Sequence, residues 1–173
     1  MNHIKKNARV ALLGENYFPP MNNSHISNAR GVGLERIMRT ILLHQPSVMY
    51  ICPTKGVNIN LLPLIMFNEI PFRLVFPSKS FFSTLNEDEK CILDMACNHA
   101  DKVIILSEHK CDPLRWSQDW FTASKKVVEN SDWVLIASNT EDITESFSSL
   151  LSKFEGDATP VLAVDFGLEA QYQ

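Results

Sequence analysis

Short apolar runs alternate along the chain with longer segments in which apolar residues recur every three or four positions. The runs are typical of buried strands, and the three-and-four spacing is typical of amphipathic helices. Strands are predicted at Arg9 to Leu13, Val48 to Cys52, Phe72 to Phe76, Lys102 to Leu106, Trp133 to Ala137 and Val161 to Asp165. This alternation of strand and helix predicts an α/β fold: a single doubly wound, largely parallel, Rossmann-like sheet with helices on both faces.

The predicted helices differ in how much of their surface is apolar. The first is predicted from Leu34, because Leu34, Ile37 and Met38 fall on one face. A later helix, Ile59 to Phe67, has apolar residues around most of its circumference. One face of a sheet covers only a stripe of a helix, so we expect a second copy to bury the surplus in a homodimer.

Length and charge set broad limits on the chain. Its 173 residues fit one domain, which we expect to span residues 1–167, with a disordered tail at 168–173. The net charge of -4 lacks the excess of Lys and Arg that neutralises many phosphates, so we expect no general nucleic-acid binding. The longest apolar run is interrupted by Asn60 and Pro63, and no signal-peptide pattern is present. We therefore expect no membrane association and a cytoplasmic location.

The four cysteines favour reduced thiols over a disulfide framework or a metal site. No CxxC pair is present. Cys97, His99, His109 and Cys111 offer two sulfur and two nitrogen ligands, but their C-x-H spacing is not a usual zinc spacing. We expect these residues to hold no metal, and we expect no cofactor.

Small and polar residues follow several predicted strands. In parallel α/β sheets, ligands bind in the crevice beyond the carboxyl ends of the strands. The candidate ligand-binding residues are Gly14, Glu15, Asn16, Thr54, Lys55, Gly56, Ser107, Ser138, Asn139 and Thr140.

The Thr54-Lys55-Gly56-Val57-Asn58 segment is the strongest candidate because it lies between a strand and a helix. Glycine there lets a ligand approach the backbone, and Lys55 can meet a phosphate or a carboxylate. The alternative is an ordinary turn with a solvated lysine. Arg30-Gly31-Val32-Gly33, ahead of the first helix, is a weaker candidate for a second anion site, because no third glycine follows and the segment does not directly follow a strand.

The order of these elements and several short motifs resemble the SLOG superfamily, a Rossmann-like nucleotide-sensing group that includes the DNA-processing and "lonely guy" families. The matching segments are the Gly14 to Arg30 loop, Lys55-Gly56-Val57-Asn58, Leu74-Val75-Phe76-Pro77, Ala100-Asp101, Trp120-Phe121 and Ser131-Asp132. One segment departs from the family pattern. A phosphate-binding Gly-Gly-Thr turn is usual after the fifth strand, whereas this chain has Ser138-Asn139-Thr140-Glu141-Asp142.

The resemblance implies a protein that senses or sequesters a nucleotide or nucleotide derivative, and family members are commonly dimers. A nucleotide or nucleoside hydrolase is the first alternative, with Glu15 and Glu141 as an acid-base pair across the same crevice. A second alternative is an α/β interaction module that has lost its ligand. No nucleophile elbow or metal-protease motif is present, so an enzyme is the less favoured reading.

Overall fold

The computed structural model describes residues 7–14, 24–108, 116–138 and 161–165. Within these residues the chain alternates strands and helices, with one short 3-10 helix at Lys79–Thr84. The elements are β1 (Arg9–Gly14), α1 (Ser24–His44), β2 (Val48–Ile51), α2 (Val57–Phe67), β3 (Phe72–Phe76), α3 (Glu87–His99), β4 (Lys102–Ile105), α4 (Trp116–Glu129), β5 (Trp133–Ser138) and β6 (Val161–Asp165). The predicted tail at 168–173 lies outside the described residues.

The described strands form one sheet of six in the order β4-β3-β2-β1-β5-β6. Every neighbouring pair is parallel. The chain begins in the middle of the sheet, proceeds outward to β4, and then returns past β1 to form β5. Strand order therefore reverses between β1 and β5, and this reversal is where open α/β sheets bind ligands.

Helices cover both faces of the sheet, which confirms the predicted doubly wound α/β architecture. Residues of α1, α2 and α3 pack with Leu12, Ile51 and Leu74 on one face. On the other face, α4 packs against a set that includes Leu13 and Val75. Neighbouring residues of one strand thus point into different cores, as the pleat of a strand requires.

The first helix begins ten residues earlier than predicted, at Ser24 rather than Leu34. Gly31 and Gly33 consequently lie inside α1, so the predicted anion nest at Arg30–Gly33 is wrong. Each glycine disfavours a helix by about 1 kcal/mol. The helix forms nevertheless, because burial of Ile37, Met38 and Ile41 in the core offsets the cost of the two glycines.

The prediction that the apolar run at 103–106 is a buried strand is wrong. Among the described strands β4 lies at the edge of the sheet, with Val103 38% and Ile105 42% exposed. The similar run in β5 is buried because β5 lies between β1 and β6. Sequence periodicity does not report strand order, so the two runs look alike.

The broad apolar surface of α2 is buried mostly within the chain itself. Besides the sheet, α2 contacts α1 on one side and α3 on the other. Leu61 and Leu62 are fully buried, and Phe67 at the end of the helix is 84% exposed. Most of the apolar surplus that a second copy was expected to bury is therefore covered by α1 and α3, apart from Phe67, and the homodimer stays a prediction.

Asp132, part of a motif that resembles the SLOG pattern, joins two strands at the amino edge of the sheet. Its carboxylate accepts hydrogen bonds from the backbone N–H of Arg9 at 3.0 Å and from the Arg9 guanidinium at 2.9 and 3.2 Å. The hydrogen bond and the charge of Asp132 raise the pKa of Arg9. This residue therefore ties β1 to β5 at the edge opposite the predicted crevice.

No helix among the described residues is both long and apolar enough to cross a membrane.

Candidate functional site

The structure brings together part of the predicted site at the carboxyl ends of three adjacent strands. Gly14 ends β1, the Thr54–Gly56 segment follows β2, and Ser138 ends β5. Neighbouring strands lie about 4.8 Å apart, so these positions fall within the reach of one small molecule. Ser107 follows β4, three strands from β1 and about 14 Å away, and it does not join this group.

The remaining predicted positions lie outside the described residues. They are Glu15, Asn16, Asn139 and Thr140 of the ligand-binding set and Glu141 of the alternative acid-base pair. The proposed pairing of Glu15 with Glu141 across the crevice therefore stays a prediction.

Gly14 brings the end of β1 against the first turn of α2. A Cβ atom at this position would lie 2.3 Å from Asn58 Oδ1 and 2.9 Å from Val57 Cβ. Real side chains do not tolerate such distances, so only glycine fits here without a shift of α2. The close approach places the first turn of α2 next to the point where strand order reverses.

The start of α2 has no side-chain cap, and of its first three N–H groups that of Ile59 donates to the Thr54 carbonyl at 3.3 Å. Gly56 precedes the helix with φ 97° and ψ -134°, a conformation that residues with a side chain rarely adopt, and no side chain caps the helix. The N–H groups of Val57 and Asn58 lie in the first turn, where a helix supplies no acceptor. These donors and the helix dipole favour a bound anion.

Two buried side-chain oxygens beside this turn lack partners among the described residues. Thr54 is 1% exposed and Asn58 3% exposed, and neither Thr54 Oγ1 nor Asn58 Oδ1 has a hydrogen-bond partner there. Asn58 Nδ2 donates to the Cys52 carbonyl at 2.8 Å, which fixes the amide so that Oδ1 is the free acceptor. Buried polar atoms without partners are uncommon and costly, so these two oxygens make the start of α2 the strongest candidate for a binding site.

A third oxygen of the same kind lies at the end of the next strand. Ser78 is fully buried, and its Oγ has no partner among the described residues. The sequence placed Asn58 in the strongest candidate segment without assigning its side chain a role, and sequence reasoning missed Ser78. The sequence did contain a signal for Ser78. The predicted strands that end at Cys52 and Phe76 are each followed by a proline and then by a hydroxyl residue, Thr54 and Ser78.

Lys55 points toward a carboxylate that comes from a different helix. Its Nζ lies 3.9 Å from Glu89 Oε2, with the two side chains 49% and 19% exposed. Glu89 also caps α3: its carboxylate accepts from the Asn86 N–H at 3.0 Å, and its own N–H donates to Asn86 Oδ1 at 2.8 Å. The lysine is therefore not simply solvated, and the glutamate beside it is held in place by the capping box.

Burial makes two of the described cysteines, Cys52 and Cys97, poor nucleophiles. Burial raises the pKa of the Cys52 thiol to about 12, and burial also raises that of Cys97, with a smaller contribution from Asp94. A thiol with a raised pKa stays protonated, whereas the thiolate is the nucleophile and the metal ligand. His109 and Cys111 lie outside the described residues, so the expectation of no metal at the Cys97, His99, His109 and Cys111 set stays a prediction.

Comparisons with known proteins identify the fold. No protein-family model and no curated protein matches the chain. Among solved structures, DNA processing protein A from Helicobacter pylori, described as binding single-stranded DNA, is similar with a TM-score of 0.58 at 15% identity, over 97% of this chain and 75% of that one. The X-ray structure of the structural-genomics target TM1055 is similar with a TM-score of 0.45 at 16% identity, over 75% of this chain and 59% of that one. The chain has a Rossmann-like α/β fold.

These comparisons correct one expectation. General nucleic-acid binding was excluded from the net charge of -4, but the similar DNA processing protein A binds single-stranded DNA. The exclusion is wrong, because a strand of nucleic acid meets the local potential of a surface and not the sum over the molecule.

Proposed function

We propose that the chain is a nucleotide-binding protein of SLOG type that holds a phosphate group of a nucleotide or nucleotide derivative at the N-terminus of α2. The observation that carries this proposal is the pair of buried, unpartnered oxygens of Thr54 and Asn58 beside an uncapped helix start. A helix N-terminus alone would be weak support, since every helix has one. Buried polar atoms that await a partner give this one a specific reason to hold a ligand.

Each residue of the site has a distinct part in the proposed binding. The N–H groups of Val57 and Asn58 donate to phosphate oxygens, and Lys55 supplies a positive charge. Gly56 lets the phosphate approach the backbone because no Cβ lies in the way. The Thr54 hydroxyl is a further donor, and Asn58 Oδ1 accepts from a hydroxyl of the ligand or from a water that the ligand holds.

Binding without turnover is the favoured form of the proposal. Glu89, the carboxylate beside Lys55, already accepts the Asn86 N–H and lies next to a cation. Both contacts hold the carboxylate in place, which suits a charge partner of Lys55. The hydrolase alternative rests on Glu15 and Glu141 and predicts that an incubated nucleotide is recovered as free base and sugar phosphate.

The proposal predicts that Lys55→Ala weakens nucleotide binding by about 5- to 30-fold, because a charge-assisted hydrogen bond to phosphate contributes roughly 1 to 2 kcal/mol at a half-exposed site. Thermal-shift screening with adenine nucleotides and ADP-ribose compounds identifies the ligand, and calorimetric titration measures its affinity. Lys79→Ala is the matched control, since Lys79 is 59% exposed and also pairs with a glutamate, Glu108, but follows β3.

Two results would count against this site. The first is a wild-type protein that no nucleotide in the panel stabilises at millimolar concentration. The second is an equal loss of affinity in Lys55→Ala and Lys79→Ala, which would show that the lysine acts only through the overall charge of the protein.

A further inference from the structure

A second cluster of polar side chains lies on the face of the sheet that α4 covers. Tyr50, Arg73 and Lys102 are partners in the register of β2, β3 and β4, so their side chains share one face. Tyr50 belongs to the core under α4, which identifies that face. The residues of α2 pack on the opposite face, so the sheet separates this cluster from the proposed nucleotide site.

The half-buried Arg73 guanidinium has a single acceptor among the described residues. Its Nη1 donates to the Tyr50 hydroxyl at 2.7 Å, whereas its Nε is buried and has no hydrogen-bond partner there. No described carboxylate forms an ion pair with it. Arg9, two strands away, shows the usual arrangement, because its Nε and Nη2 both donate to Asp132. Arg73 therefore lacks the counter-ion that Arg9 has.

The other two members of the cluster are also donors without acceptors in the described part of the chain. Tyr50 is only 4% exposed, and its hydroxyl accepts from Arg73 but donates to none of the described residues. Lys102 is exposed, lies beside Arg73 in the register, and forms no ion pair with a described residue. Guanidinium and ammonium groups have no acceptor, so a ligand that completes this set must supply negatively charged oxygens.

A carboxylate fits the cluster better than a phosphate does. The backbone N–H groups of β2 and β3 are directed at neighbouring strands, so the face of the sheet supplies side-chain donors only. Phosphate sites usually draw on backbone donors at helix starts and in turns. A planar guanidinium with one hydroxyl beside it matches the two oxygens of a carboxylate.

We propose that Tyr50, Arg73 and Lys102 form a carboxylate-binding site on the α4 face, separate from the proposed nucleotide site. Arg73 pairs with the carboxylate, the Tyr50 hydroxyl donates to one of its oxygens, and Lys102 adds a second positive charge. Two sources supply this chemistry, a small carboxylic acid and an acidic side chain of a partner protein.

A nitrogen-15 NMR titration with sodium acetate tests this site, with sodium chloride adjusted so that the ionic strength stays constant. The reporting signal is the Nε–H group of Arg73, which is buried and so protected from rapid exchange with water. The Nε–H group of Arg9 is an internal control in the same spectrum, because it already donates to Asp132 at 3.2 Å.

The Arg73 signal is expected to follow a saturating curve with a dissociation constant on the order of 10 mM, and the Arg9 signal should stay unchanged. Tyr50→Phe should weaken acetate binding by about 2- to 10-fold, since it removes one hydrogen bond. Arg73→Gln, followed through the backbone amides of Tyr50 and Lys102, should weaken it by at least about 10-fold. Arg39→Gln is the matched control: it removes the same charge from a 73% exposed side chain of α1 and should change the affinity by less than about 2-fold.

A blocked tripeptide with one central glutamate separates the two sources. Tighter binding of this peptide than of acetate indicates an acidic side chain of a partner protein. Equal or weaker binding of the peptide indicates a small carboxylic acid.

The inference is overturned if acetate gives no saturable shift of the Arg73 signal up to about 100 mM. It also fails if inorganic phosphate binds this site more tightly than acetate, or if Arg39→Gln weakens acetate binding as much as Arg73→Gln does. Should circular dichroism show that Arg73→Gln does not fold, the wild-type titration and Tyr50→Phe decide the outcome. None of these results bears on the proposed nucleotide site, because the Arg73 signal reports on the other face of the sheet.

Discussion

Replacing Gly14 with alanine is expected to lower the free energy of unfolding by about 2 to 3 kcal/mol, the cost of overpacking a tightly filled position. The new Cβ would lie 2.3 Å from Asn58 Oδ1 and 2.9 Å from Val57 Cβ. Neither contact is relieved by a flexible side-chain end, because Asn58 is anchored to the Cys52 carbonyl and Val57 is fully buried. For a chain of this length the midpoint of thermal unfolding should fall by roughly 5 to 10 °C.

Gly31→Ala is the matched control for this experiment. A Cβ at Gly31 meets nothing within 4 Å, and the residue lies inside α1. Alanine there is expected to stabilise the protein by about 0.5 to 1 kcal/mol, because glycine loses more backbone entropy than alanine in a helix. Circular dichroism melts of the two variants measure both changes. Equal effects at the two positions would show that β1 does not approach α2 as described.

Gly56→Ala is expected to cost about 1 to 3 kcal/mol of stability and to weaken nucleotide binding by at least 10-fold. The conformation at Gly56, with φ 97° and ψ -134°, is one that an L side chain strains to adopt. Relief of that strain would turn the Lys55–Gly56 peptide and move the first N–H groups of α2. A Cβ would also occupy space through which the proposed phosphate approaches the backbone.

Stability and binding must be separated in this variant. Titration well below its unfolding midpoint measures the affinity of the folded population, and Gly31→Ala serves again as a glycine substitution away from the site. Wild-type affinity in a folded Gly56→Ala protein would place the ligand somewhere other than the start of α2.

The sequence predicted the fold because each layer leaves a local pattern. Strand β1 and helix α2 differ in their apolar periodicity, and the bounds of both were predicted to within two residues. The edge position of β4 left no such pattern, because an apolar run such as Val103–Ile105 looks the same at an edge as in the middle of a sheet. The burial of α2 was also hidden, since Leu61 and Leu62 are covered by α1 and α3 and not by anything nearby in sequence.

The candidate site also has a part that the sequence predicted and a part that depends on the folded structure. Thr54, Lys55 and Gly56 were predicted because a strand-to-helix turn is visible in the sequence. The contact between Lys55 and Glu89 spans 34 positions along the chain and forms only when α3 packs beside α2. The orientation of Asn58, set by the Cys52 carbonyl, also depends on the folded backbone. Long-range contacts of this kind decide the charge of the site, and a single sequence does not report them.

The most direct test of the account is a nitrogen-15 NMR titration of the wild-type protein with AMP and with adenylyl adenosine. The account predicts that the amide signals of Gly56, Val57 and Asn58 shift most, because their N–H groups lie where the phosphate is proposed to bind. The shifts should follow one binding curve, and they should be smaller at equal ligand concentration in Lys55→Ala. Saturable shifts confined to residues of α4 or β4, with the start of α2 unchanged, would contradict the central claim.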